Sequence, residues 1–151
     1  MDKTIPFPQA DDMAKIKKVL SVGEESFLKD VKRMQILLGD ITDRQVQYYL
    51  SAAAFLGILN SDKTFTDYGR RLRNLNECEQ DISLCQKIVS DEVFGEVYFS
   101  ELILGITLDR DEVIAIMKKK LCFNSEEIYR RRAQTVIKWI EWIHSKDSLH
   151  S

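Results

Sequence analysis

The sequence predicts a mainly α-helical protein that opens with a winged helix-turn-helix, and three observations carry that prediction. Apolar residues recur at helical spacing through most of the chain. Thr42, with Gln45 three residues on, forms a T-x-x-Q capping box at the head of a helix that runs to Gly57. Between Gly57 and Thr66, two short apolar runs flank a polar turn, which reads as a small β-hairpin. Residues 1–75 are expected to form the winged helix-turn-helix and residues 76–151 an all-helical half.

The first helix is expected from Asp11 to Val22, where Met13, Ile16, Val19 and Leu20 share a face and Lys15, Lys17 and Lys18 form a solvated one; Gly23 stops it. A second helix, about Ser26 to Leu37, buries Phe27, Leu28, Val31 and Met34. Gly39-Asp40 then makes a turn before the third helix, DRQVQYYLSAAAFLG. Ile58-Leu59-Asn60 and Thr64-Phe65 are the expected strands, with Ser61-Asp62-Lys63 as the turn between them. Thr66 caps a following helix, DYGRRLRNL. Three helices, a hairpin and another helix is the order of a winged helix.

The second half is helical in period throughout. Asp81 to Val89 carries Ile82, Cys85, Ile88 and Val89. Val93 to Ile106 is so dense in apolar residues that it reads as buried. Asp109 to Leu121 ends in Lys118-Lys119-Lys120, charge suited to a helix C-terminus. The last helix, EEIYRRRAQTVIKWIEWI, echoes the third at a shift of 87 residues: Arg44 falls on Arg131, Gln47 on Gln134, Leu50 on Ile137 and Ala53 on Ile140. This half reads either as a second helix-turn-helix or as one more amphipathic helix in similar register.

A chain of 151 residues, 44% apolar and 30% charged, belongs with ordinary globular domains and not with disordered chains. Glu101 and Asp109 interrupt its most apolar stretch, which excludes a membrane span. The start, MDKTIPFPQADD, lacks the basic and apolar regions of a signal peptide, so a cytoplasmic location is expected. Three cysteines without a CxxC pair fit that compartment. A metal site drawn from Cys78, Cys85, Cys122 and His144 is the weaker reading, because thiols usually serve as small apolar residues. Up to Arg73 there are 12 basic and 10 acidic residues, net +2; beyond it there are 10 and 14, net −4.

That basic excess falls where the third helix would meet nucleic acid. Its inward stripe is Val46, Tyr49, Leu50, Ala53 and Leu56, which leaves Arg44, Gln45, Gln47, Tyr48 and Ser51 facing out, with Thr42 at the helix head a further candidate for contact with DNA. Arg pairs with guanine and Gln with adenine, while hydroxyls reach phosphates. Lys63 and Asn60 at the wing tip would touch backbone or minor groove, with Asp62 opposing them. Arg70, Arg71 and Arg73 read equally as phosphate contacts or a solvated helix end. Arg130, Arg131 and Arg132 are either a second contact with DNA or partners of Glu126 and Glu127. Trp139 and Trp142 read as core or dimer-interface anchors.

Catalysis has little to build on. The two histidines, His144 and His150, lie in the terminal tail, and no GxSxG, HExxH or glycine-rich phosphate loop occurs. Asp91 and Asp109 read as helix N-terminal charges. No catalytic, cofactor or metal site is expected, no small-molecule substrate is evident, and the chain does not read as an enzyme.

DRQVQYYLSAAAFLGIL, followed by FTDYGRRL and RRRAQTVIKWIEWI, resembles a winged-helix module of bacterial restriction endonucleases and related restriction-modification proteins. The resemblance implies binding of double-stranded DNA, with Arg44, Gln45, Gln47 and Tyr48 in the recognition helix, as a regulator or as the specificity part of a larger system. No nuclease domain accompanies it here. The expected partners are double-stranded DNA and a second copy of the chain. The alternative is a winged helix used for protein contacts alone, favoured by the near-neutral charge and the two Trp residues.

Overall fold

The structure, a computed structural model, describes residues 5–105 and 108–150, with side chains as far as Lys146. The chain divides into two compact units, Met1–Gln80 and Asp81–Ser151. The division falls inside a helix, a few residues beyond the expected boundary at 75/76.

In the first unit, α1 (Met13–Val19) begins at Asp12, whose carboxylate accepts from the Ala14 amide at 3.0 Å. It stops three residues short of Val22, where the Ser21 hydroxyl donates to the Lys18 carbonyl at 2.6 Å. The expected second helix is broken in two, a 3₁₀ turn (Glu25–Lys29) and α2 (Val31–Leu37). Asp30 makes the break: its backbone is extended and its side chain caps α2 by accepting from the Arg33 amide. A residue that offers its own carboxylate to a new helix start cannot also continue the old helix. Gly39 (φ 94°) and Asp40 (φ 60°) then turn the chain into α3 (Asp43–Phe55), which packs on α1 and α2. Ile16, Met34, Leu38, Val46, Ala53 and Leu56 are almost fully buried.

The winged-helix expectation is corrected after α3. No strand forms among the described residues; the hairpin is reduced to one antiparallel bridge between Leu59 and Phe65. Only a tight turn remains, closed by Asn60 N–H to the Thr64 carbonyl at 2.8 Å and Thr66 N–H to the Ile58 carbonyl at 3.0 Å. The segment is too short to do more. Gly57 (φ 76°) ends α3, and Thr66 already serves as cap of α4 (Asp67–Arg73), accepting from the Gly69 amide. Two or three residues a side make no stable ribbon. The turn lies tight against α4: a Cβ on Gly69 would come within 2.2 Å of the Ile58 carbonyl oxygen.

Arg73 closes this unit. Its Nε donates to the Leu20 carbonyl at 3.2 Å, another guanidinium nitrogen donates to the Val22 carbonyl, and its Cζ sits 4.4 Å from the Phe65 ring centre. The unit then passes into α5 (Glu77–Val89), in which the boundary falls.

The second unit adds α6 (Glu92–Leu104), α7 (Arg110–Lys120) and α8 (Glu126–His150), with α7 packed on both α6 and α8. Asp91 and Asp109 are the caps of α6 and α7; Asp91 accepts from the Val93 amide at 2.9 Å and Asp109 from the Glu112 amide at 2.9 Å. Gly105 (φ 70°) ends α6, and Ile106, expected as its last residue, lies outside the described residues. Trp139 is fully buried and stacks on Phe94 at 4.9 Å. Buried Asp81 pairs with Lys146 at 3.3 Å. The reading of α6 as a buried helix is corrected: Val93, Phe94 and Val97 are inside, whereas Phe99, Leu102, Ile103 and Leu104 are exposed.

Candidate nucleic-acid interface

Helix α3 presents its outer side because its inner side is fully engaged. Val46, Leu50, Ala53 and Leu56 recur at three- and four-residue intervals and are buried, and Tyr49 joins them with its hydroxyl accepting from the Asp12 amide at 3.2 Å. The same period sets Arg44, Gln47, Tyr48 and Ser51 along the opposite stripe. The ten residues expected to touch DNA fall into four groups.

Thr42 and Gln45 are the cap of α3. Gln45 N–H donates to the Thr42 hydroxyl at 3.1 Å, and Thr42 N–H donates to Gln45 Oε1 at 3.0 Å. Both arms of the expected capping box are present. Gln45 therefore spends its acceptor on the helix start.

Arg44 and Tyr48 form the second group, four residues apart on one face. Arg44 Nε donates to the Tyr48 hydroxyl, and the guanidinium carbon sits 5.4 Å from the ring centre. Arg44 is exposed and Tyr48 half-buried. A guanidinium braced in this way has less side-chain freedom left to lose when it engages an anion.

Gln47, Ser51 and Lys63 are brought together by tertiary structure. With Ile5, Pro6, Leu50, Ala54, Leu59, Asn60 and Ser61 they line a concavity of about 240 Å³. The segment from Ile5 to Ala10 makes one wall: Pro8 and Ala10 are buried, and Phe7 meets Phe55 edge-on at 5.7 Å. That segment shields the C-terminal half of the stripe and leaves Arg44, Gln47 and Tyr48 as its open end. Nothing in the periodicity of α3 signals this neighbour; the apolar Ile5 and Phe7 beside two prolines are the only hint in the sequence.

The turn that replaces the wing is internally bonded. Asn60 Nδ2 donates to the Thr64 hydroxyl at 3.0 Å, and the Thr64 hydroxyl and amide both donate to the Asp62 carboxylate. The Thr64 hydroxyl, then its amide, hold the Asp62 carboxyl below its ordinary value, so it remains an anion beside Lys63.

Arg130, Arg131 and Arg132 point in different directions around α8. Arg130 is exposed, Arg131 donates to the Thr135 hydroxyl at 3.2 Å, and Arg132 lies 5.0 Å from the Phe123 ring centre. Glu126, one of their expected partners, is bonded to Lys118 instead. Arg70 donates to the Phe65 carbonyl at 2.9 Å and pairs with Asp67. Arg73 is bonded to the Leu20 and Val22 carbonyls, and Arg71 is exposed.

Among the described residues no three His, Cys, Asp or Glu side chains group to hold a metal ion, and no helix is long and apolar enough to cross a membrane. Fold and surface together define a two-unit helical protein with a polar stripe on the outer side of α3. The chain belongs to the DUF7226 family, a domain of unknown function, whose model matches residues 18–148 and so takes in parts of both units. No curated protein and no solved structure matches the chain.

Proposed function

We propose that this chain binds double-stranded DNA through the open, N-terminal half of α3. The supporting observation is the outward stripe of exposed Arg44 and Gln47 and half-buried Tyr48 on a helix capped at Thr42 and packed from behind by α1 and α2. Helices inserted in the major groove read bases with their N-terminal residues. The net charge is +2 up to Arg73, but Glu77 and Glu79 bring the first unit as a whole to zero, so affinity is modest and falls with salt. A cytoplasmic location goes with this reading, as does a place in restriction-modification chemistry, which rests on the resemblance in sequence.

Anisotropy of a labelled mixed-sequence duplex at low salt is the test. Binding in the micromolar range is expected, weakened about tenfold by Arg44→Ala, as one lost contact of about 1–3 kcal/mol requires. No binding at about 100 μM protein, or no change on Arg44→Ala, sinks the proposal.

A second reading is favoured by the concavity beside Gln47 and Ser51. Its apolar lining, Ile5, Pro6, Leu50, Ala54 and Leu59, suits an apolar side chain of a partner protein. Ala54→Trp would fill it. Loss of a protein partner with duplex binding unchanged favours this second reading over the first.

A further inference from the structure

The outer face of α6 is unlike any other helix surface in the second unit. Phe99, Leu102 and Ile103, spaced at three and four residues, are 51%, 66% and 81% exposed, and Leu104 beside them is 59% exposed. At roughly 200 Å² for the aromatic Phe99 and somewhat less for the three aliphatic residues, these exposures amount to roughly 450 Å², the size of the largest apolar patch a monomer ordinarily shows to water.

We propose that this face is the interface of a two-fold dimer, with α6 of one copy antiparallel to α6 of the other. The area is the first argument: a pair of such faces can remove up to roughly 900 Å² from water, and the polar rim around them brings the contact to about the least a specific interface needs. Charge is the second. A two-fold contact sets each patch against itself, so any ionised group in it would meet its own like. The four residues carry none, and the carboxylates beside them are engaged within their own unit. Glu96 is bonded by Lys119 at 2.6 Å and approached by Lys120 at 3.7 Å, and Glu101 is bonded to His144 at 2.8 Å. Spacing is the third. In an antiparallel pair centred on the patch, Phe99 of each copy lies against Ile103 of the other, and the helix dipoles oppose favourably. Trp139, which the sequence offered as an interface anchor, takes no part, because it is wholly inside the unit.

Sedimentation equilibrium across about 1–300 μM protein tests this, a range chosen for a weak interface of minimal area. The expected mass rises from 17.6 kDa towards twice that value. Ile103→Asp, and separately Leu102→Lys, should weaken association at least tenfold while circular dichroism and the melting temperature hold. A wild type that stays at 17.6 kDa throughout overturns the proposal, whether its patch binds lipid vesicles or shows slow hydrogen exchange as a monomer. Undiminished dimers of both folded variants overturn it too. Should one variant fail to fold, the other and the wild-type mass still decide.

Discussion

Helices α3 and α6 are each 13 residues long, and each buries one side in its own unit. Their outer sides differ in kind. On α3 the stripe is Arg44, Gln47, Tyr48 and Ser51; on α6 it is Phe99, Leu102 and Ile103. Water solvates the first at little cost, whereas the second leaves large apolar groups hydrated. The difference teaches that these stripes do separate tasks: one suits a charged, hydrogen-bonding ligand, the other a surface as apolar as itself. Changes on the inner sides should therefore damage folding, and changes on the outer sides should damage binding alone.

The largest test concerns the inner side of α6. Trp139→Ala removes the ring on which Phe94 stacks, and should cost about 3–5 kcal/mol, read as a large fall in melting temperature. A loss of less than about 1 kcal/mol would mean that the inner side of α6 is not held as described. A smaller effect is expected at the head of α3. Thr42→Ala removes one arm of the capping box and should cost about 1 kcal/mol in denaturant titration. Duplex binding should then weaken no more than the fraying of that first turn explains, in contrast to Arg44→Ala, which should leave stability unchanged.

The smallest effect lies at the edge of the α6 stripe and depends on pH. The hydrogen bond from Lys119 holds the Glu96 carboxyl below its ordinary value of 4.5. A depressed folded value means that this pair stabilises above 4.5 and that its contribution is lost as pH falls through the lower, folded value. Screened by solvent, it amounts to about 0.2–1 kcal/mol. Glu96→Gln should reduce the acid-side loss of stability by that much and leave the neutral limb parallel. An unchanged acid limb would detach Glu96 from Lys119.

Local chemistry was the legible part of the fold. The capping bonds of Thr42 and Thr66 reach only three residues on, so they could be read directly, while Asp91 and Asp109, read as helix N-terminal charges, prove to be the caps themselves. Asp30 broke the second helix by the same chemistry, but its neighbours Phe27, Leu28 and Val31 kept an unbroken helical period that masked it. The hairpin was misread because β-forming residues at Ile58 and Phe65 carry no information about the room between two helix ends. Burial of α6 was misread because the count of apolar residues is blind to which of them find a neighbour. At the candidate interface, periodicity placed Arg44, Gln47, Tyr48 and Ser51 outward, but the segment around Phe7 comes from nearly 50 residues away in sequence, a distance that no local pattern spans.

Arg73 has a consequence for the order of events in folding. Its bonds to Leu20 and Val22 span 53 and 51 residues. A chain emerging from the ribosome can form α1 and cap α3 early, yet the carbonyls at the end of α1 wait for the last residue of α4. Closure is therefore a late, long-range step, and its loop entropy is met only once most of the first unit is in place. A chain interrupted before Arg73 lacks the clasp, and lysine, with one point charge for two diverging bonds and a ring face, would not restore it.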